Sequence, residues 1–310
     1  MSAISLMEYA KSIRKKETFR STIIELFAKN SPLLDAMGFQ NIQGNAYAYD
    51  QEAKLPGVGF RGINEGFNSS YGVLNPQVEK LKIAGGDLDV DVANVKMFGE
   101  ERRSREESMQ IKALTLAIAR IFLKGDDVNN VKEISGLQSR ITGDQLISAG
   151  NGSGGSALSL AALDDLIDAV DEPTHLIMNK KMKNLLTQAS RDTNVGGNVE
   201  RTVDEFGRKI TKYDDLPIIV MDKDNVNADI LPFTEAAGAG AATATSIYAV
   251  SFTEDGVIGI QNGEIDARDL GEIDSKPVYR TRVEWLLSMA VQRGSAAARL
   301  RHIKNAAVVK

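Results

Sequence analysis

Along residues 87–98, DLDVDVANVKMF, Leu88, Val90 and Val92 alternate with Asp87, Asp89 and Asp91. A period of two predicts a half-buried strand with the carboxylates on its solvent face. The next stretch, GEERRSREESMQIKALTLAIARIFLKGD, changes period. Ile111, Leu114, Ile118 and Ile121 fall on one helical stripe, the first turns are charged, and Gly125 is a stop signal. LSLAALDDLIDAV spaces Leu160, Leu163, Ile167 and Val170 as a second helix, THLIMN reads as a strand, KKMKNLLTQA as a helix and LPIIVM as a strand. This alternation predicts an α/β region. Between its last two elements, residues 190–209 read as flexible, and TEAAGAGAATAT reads as a low-complexity loop. SIYAVSFTEDGVIGIQ predicts a hairpin turning at Asp255-Gly256. In PVYRTRVEWLLSMAVQ, Tyr279, Thr281, Val283, Trp285, Leu287, Met289 and Val291 share one face of a long strand near the C-terminus.

The N-terminal third is different in texture. Residues 5–37 carry an imperfect helical stripe of Leu6, Tyr9, Ile13, Phe19, Ile23, Ile24 and Phe27, interspersed with Lys11, Arg14, Lys15, Lys16 and Arg20. After Gly44, NAYAYDQEAKL and PQVEKLKIA read as extended strands, joined by PGVGFRGINEGFNSSYGVLN. That connection is too polar and glycine-rich to hold a core, yet it carries Phe60, Phe67 and Tyr71. Two strands ending in an aromatic tip predict a projecting hairpin that an isolated monomer leaves poorly buried. Such an arm makes sense where a neighbouring subunit covers it.

Composition removes most chemistries. There is no cysteine, so no disulfide, thiolate metal site or cysteine nucleophile. The two histidines, His175 and His302, are too few and too far apart in sequence for a zinc site, and His175 in a strand reads as structural. The alternating aspartates lack the glycine turn of a calcium loop. No H-E-x-x-H, G-x-S-x-G or P-loop lysine occurs. No signal peptide or spanning segment is expected, because ALTLAIARIFL is short and interrupted by Arg120. The net charge of -5 gives no general reason to expect nucleic-acid binding. One pattern tempts: Gly150, Gly152 and Gly155 have G-x-G-x-x-G spacing ahead of a helix. A dinucleotide loop needs a buried strand just before it, and SRITGDQLISA is polar throughout. The run reads as a hinge into the helix, and no cofactor, metal or catalytic group is expected.

Taken in order, these pieces resemble the major capsid protein of tailed bacteriophages: basic segment, projecting hairpin, strand, long charged-to-apolar helix, α/β region and long terminal strand. That family has the Hong Kong 97-type fold, shared with encapsulin shells. FLKGDDVNNVKEISGL is similar to the end of the family's long helix, and LPIIVMDK resembles the strand leading out of its axial domain. The resemblance implies an α+β protein with an N-terminal arm at 1–44 and an extended loop at 45–83. The peripheral domain would begin at 84–149, with a spine helix at 100–124, and finish with the strand and tail at 262–310. The axial domain would occupy 150–261.

The resemblance also implies roles. Lys54, Phe60, Arg61, Glu65, Phe67 and Tyr71 of the extended loop would contact a neighbouring subunit. Arg191, Asp192, Asn194 and Arg208 would lie in the loop at the capsomer axis. Lys11, Arg14, Lys15, Lys16 and Arg20 would face the interior and its DNA, where clustered cations release counterions from phosphate. The implied protein is a virion component, not an enzyme. It would assemble in the host cytoplasm into hexamers and pentamers of an icosahedral shell around double-stranded DNA. Separate scaffold, portal and decoration proteins would be its partners, with no membrane. Some family members join a loop lysine to a neighbour's asparagine, using a glutamate as base. Matching the C-terminal strand by its alternation puts Glu284 at the asparagine position and Val291 at the base position. An encapsulin shell around a cargo protein, and an α/β nucleotide-binding enzyme using Gly150–Gly155, are the alternatives.

Overall fold

The computed structural model describes residues 26–27, 30–54, 56–150, 152–191, 199–203, 209–238, 240, 242–263 and 265–309, without the side chains of 52–54, 201 and 209. The basic N-terminal stripe therefore lies outside the described residues, as do Asp192, Asn194 and Arg208. Helix α1 (Pro32–Ala36) is capped by Ser31, whose hydroxyl accepts from Leu34 N. Strands β1 (Phe39–Asn41), β2 (Ala46–Lys54), β3 (Val73–Lys80) and β4 (Lys82–Asp91) follow. The run expected as one strand over 76–84 is thus divided at Leu81, whose N–H turns back to Asn45 O at 2.9 Å.

The strand expected through Phe98 stops at Asp91. The Asp91 carboxylate accepts from Ala93 N at 2.7 Å and starts helix α2 (Val92–Phe98). An N-cap satisfies amide groups that a lone edge strand would leave open, so the capped helix wins over the alternation. Helix α3 (Glu100–Lys124) runs 25 residues and ends at Gly125. Adding a Cβ to Gly125 would bring it within 2.1 Å of Ile134 O, so the stop is enforced by the close approach of the next loop. Ile111, Thr115, Ile118, Ala119, Phe122 and Leu123 are buried, while Leu114 and Ile121 sit at the margin. A short helix α4 (Leu137–Arg140) and strand β5 (Leu146–Ser148) complete this half.

The remaining elements are α5 (Leu160–Asp168), β6 (His175–Met178), α6 (Lys180–Ala189), β7 (Val199–Val203), β8 (Lys209–Tyr213) and β9 (Leu216–Val220). After them come β10 (Glu235–Ala236), β11 (Ala242–Val250), β12 (Val257–Gln261), β13 (Asp266–Glu272), β14 (Val278–Val291) and β15 (Ala297–Lys304). They form two sheets. In the smaller, β14 pairs with β4 along one edge and with β13 and then β12 along the other, while β1 adds beside β12. The larger has the order β5-β15-β11-β6-β9-β8-β7, with β10 also on β11.

Several expectations need correction. The segment read as flexible contains β7 and the start of β8, and the low-complexity loop runs into β11. The Asp255-Gly256 turn exists, with Val257 N on Ser251 O at 2.8 Å, but it does not join a hairpin. Strand β11 belongs to the larger sheet and β12 to the smaller. Every residue of β12 is buried, so no alternation existed to tell which sheet it would enter. No strand is expected over Ala297–Lys304, where β15 lies. With β5 it pairs inside the larger sheet, so 146–148 and 297–304 join the strands of the α/β region rather than those around β14.

Helix α3 covers the inner face of the smaller sheet. There Trp285 is fully buried against Phe27 (ring centroids 5.8 Å) and Phe39 (5.0 Å), and its Nε1–H donates to Gln261 Oε1 at 3.0 Å. A second core lies on one face of the larger sheet, where α5 and α6 bring Leu163, Leu166, Met182 and Leu186 against Leu176, Met178 and Ile218.

Candidate assembly surface

Among the described residues, strands β2 and β3 pair only with each other, in register from Ala46–Lys80 to Glu52–Leu74, with a shift before Lys54–Val73. The hairpin is anchored only at its root. Tyr47 and Tyr49, two apart and therefore on one face, stack with centroids 5.7 Å apart and pack with Ile42 and Leu81 over Ile258, Ile260 and Ala290. This covers the outer face of the smaller sheet at its β12 end. Beside it, Arg140 of α4 makes a two-pronged ion pair with Glu79 of β3, one prong Nη2–Oε2 at 2.8 Å. Burial works against the Arg140 charge, but Glu79 more than compensates and holds the guanidinium's pKa above its usual value. Burial, then the Glu79 charge, pushes the Tyr49 hydroxyl up.

From residue 56 to 72 every side chain is exposed. Val58, Phe60 and Ile63 are more than nine-tenths exposed, and Phe67 and Tyr71 mostly so. The tip is nonetheless organised. Gly62 N donates to Glu65 Oε2 at 2.8 Å, Arg61 Nη1 donates to Glu65 O at 3.2 Å, and the Arg61 guanidinium lies over the Phe67 ring at 5.2 Å. Gly57 N donates to the Ser70 hydroxyl at 2.6 Å and closes the neck. Arg61, Glu65 and Phe67 are thus brought together, while Phe60 and Tyr71 stand exposed on the same connection. Lys54 ends β2, and its side chain is outside the described residues. Arg191 is exposed just past α6, and its axis-loop companions lie outside the description.

The outer face of the smaller sheet is polar where the hairpin root does not reach. Asp87 and Asp89 of β4 stand opposite Arg282 and Arg280 of β14, each pair joined by two hydrogen bonds of 2.6–2.8 Å. These bonds, before all else, hold both carboxyls below the usual range. Arg268 of β13 continues the row to Glu284 at 2.7 Å. The ladder and the Glu79–Arg140 anchor were both missed in the sequence. The ladder had a signal: D-x-D and R-x-R at matching period in two strands that share a sheet. The anchor had none, because 61 residues separate its partners.

The glycine run does not lead directly into a helix N-terminus. Helix α5 begins five residues after Gly155, with Ser159 as its cap. Gly155 has φ +88°, and a Cβ there would lie 2.3 Å from His302 O, so the run is a tight turn packed on β15 rather than a hinge. His302 Nδ1 lies 2.9 Å from the Ser148 hydroxyl. His175 is kept neutral by burial, which lowers its pKa to about 4. Among the described residues no group of His, Asp or Glu could hold a metal ion, and no helix is long and apolar enough to cross a membrane.

A model of the family described as "Major capsid protein GP7" matches residues 15–163. The comparison with curated proteins finds no match. Among solved structures, the chain is similar to the holo-SrpI encapsulin complex from Synechococcus elongatus PCC 7942, at 16% identity, over 90% of this chain and 89% of that one, with a TM-score of 0.65. It is similar to the capsid of a native GTA particle at 12% identity over 88% and 90%, with a TM-score of 0.60. A structure from Mycobacterium phage Bobi matches at 12% identity over 87% and 89%, again with a TM-score of 0.60.

Proposed function

From the premise that this chain belongs to the Hong Kong 97-type major capsid proteins, we propose that it builds the icosahedral shell of a tailed bacteriophage from hexamers and pentamers. The chain is a structural protein of the virion that assembles into a multimeric shell, and it is not an enzyme. The finer reading rests on one observation above all. The hairpin ends in Phe60, Ile63, Phe67 and Tyr71, on a connection organised by Arg61 and Glu65 and covered by none of the other described residues. An organised apolar surface of this kind fits burial against another copy. Residues 45–83 would be the extended loop, 84–149 and 262–310 the peripheral domain, and 150–261 the axial domain, with the pairing of β15 and β11 tying the two together. Arg191, Asp192, Asn194 and Arg208 would line the capsomer axis. Lys11, Arg14, Lys15, Lys16 and Arg20 would meet double-stranded DNA packaged without sequence preference. Assembly in the host cytoplasm, with separate scaffold, portal and decoration proteins, completes the proposal.

The encapsulin reading draws on the likeness to SrpI, which is a likeness of fold. The family match favours the phage capsid. The two readings part on contents, since a phage shell packages nucleic acid and an encapsulin a protein. Sedimentation and electron microscopy of the purified chain test the shell. Closed particles support it, and monomers or small oligomers under conditions that support virion production overturn it.

We also infer that the shell is held without covalent links between copies. Glu284 is engaged by Arg268 and cannot expel ammonia as an amide does, and Val291 cannot take a proton. Particles boiled in detergent and reductant should give a single band near 33.6 kDa on a denaturing gel. A ladder of multimers would refute the inference.

A further inference from the structure

Helices α5 and α6 carry opposite charges with no counter-charge of their own. From residue 157 to 179 the chain has Asp164, Asp165, Asp168, Asp171 and Glu172 and no lysine or arginine. From 180 to 191 it has Lys180, Lys181, Lys183 and Arg191 and no carboxylate. Both helices pack on the same face of the larger sheet through Leu163, Leu166, Met182 and Leu186, which turns Asp164, Asp165 and Asp168 of one, and Lys180 and Lys181 of the other, to solvent.

The charges also sit at the unfavourable ends. A helix favours anions at its N-terminus and cations at its C-terminus. Here Asp168, Asp171 and Glu172 crowd the C-terminal end of α5, and Lys180, Lys181 and Lys183 crowd the first turn of α6. The two ends cannot neutralise one another within a subunit. Strand β6 runs between them, so the acidic end of α5 lies where β6 begins and the basic end of α6 where it finishes, roughly 13 Å along a four-residue strand. Among the described residues, Lys180 has only Asp222, at 3.7 Å and open to solvent. Asp164 accepts from the Tyr213 hydroxyl at 2.7 Å and Asp171 from the Ser295 hydroxyl, and no ion pair joins the two helices.

We infer that the acidic end of α5 docks on the basic first turn of α6 in a second copy of this chain. The contact pairs opposite charges and opposite helix-dipole ends at once. It joins unlike surfaces, so it repeats from copy to copy, as a ring of subunits requires. Complementary charge of this kind sets register and speeds encounter, and it weakens with salt. The inference rests on the shell reading, and it names a contact that the hairpin does not provide.

Two reversal variants test it: Asp165→Lys with Asp168→Lys, and Lys181→Glu with Lys183→Glu. Each moves a helix toward its preferred dipole polarity, so each subunit should melt no lower than wild type. Each alone should assemble at least about tenfold less than wild type at low salt, because like charges then face each other. A chain that carries both reversals should recover assembly, since its basic α5 end then meets the acidic first turn of α6 in the next copy, in a ring of five as in a ring of six. Recovery in the combined variant supports a contact between copies. Normal assembly of either reversal alone, or no recovery in the combined variant, overturns the contact while leaving the shell intact. A wild-type chain that forms no particles overturns the shell reading itself.

Discussion

The β2–β3 hairpin and the β4–β14 pair are both antiparallel ladders of about the same length, and they end very differently. The β4–β14 pair is finished within the subunit. Helix α3 and Trp285 close its inner face, and the Asp–Arg ladder satisfies its outer one. The hairpin is finished only at its root, by the tyrosine stack and Glu79–Arg140, and beyond residue 56 it is open. An isolated two-stranded ribbon is marginal in water. The difference locates where the chain spends its own side chains on folding and where it leaves surface for another copy.

Damage to the finished region should be felt by the subunit alone. Trp285→Ala removes the largest fully buried side chain and its bond to Gln261, and should cost about 3–5 kcal/mol of subunit stability in denaturant unfolding. A loss under about 1 kcal/mol would mean that this core is not what closes the sheet.

Acid should also act within the subunit, at β6 of the larger sheet. The folded state holds His175 at about 4, against an ordinary value near 6.5, so the unfolded chain takes up the proton first. Stability contributed by neutral His175 is fully present above about pH 6.5 and is lost as pH falls toward 4, by about 3 kcal/mol in all. His175→Leu should flatten that part of the stability profile. An unchanged slope between pH 6.5 and 4 would contradict the burial assigned to the ring.

The glycine run gives a smaller effect. Gly155→Ala must accept φ +88° and a Cβ pressed on His302 O, and should cost about 2 kcal/mol in melting or denaturant measurements. Gly152→Ala meets nothing nearer than Gly155 O at 3.7 Å and should stay within about 0.5 kcal/mol of wild type. Equal effects would remove the distinction between a packed turn and a hinge.

The opposite behaviour is expected of the hairpin. Phe60→Ser with Phe67→Ser should leave subunit stability unchanged, because both rings are exposed. Assembly should fall, since each ring covered by a neighbour is worth about 1–3 kcal/mol. Wild-type particle yield from the double variant would mean that the tip anchors nothing.

Much of this division could be read from the sequence. The periodicity of PVYRTRVEWLLSMAVQ matches the buried face of β14, and KKMKNLLTQA is α6 residue for residue. The hairpin was legible because its aromatic tip had no periodic partner. What escaped was set by tertiary competition. Asp91 could end a strand or cap a helix, and only the fold decided. Strand β12 is buried on both faces and so carries no alternation, and β15 gains its place from partners 47 to 60 residues away in β11. Of the expected surface residues, the tip cluster is held together by hydrogen bonds within six residues of one another, a range at which turn chemistry is readable. Glu79–Arg140 depends on how α4 meets the hairpin root, which no local pattern encodes.

Amide hydrogen exchange of residues 56–72, in assembled particles and in free subunits, tests the central claim most directly. In the free subunit these amides should exchange at the rate of an open loop. In the particle they should be protected while the β4–β14 amides change little, since that ladder is already complete. Equal exchange at the tip in both states would contradict the account.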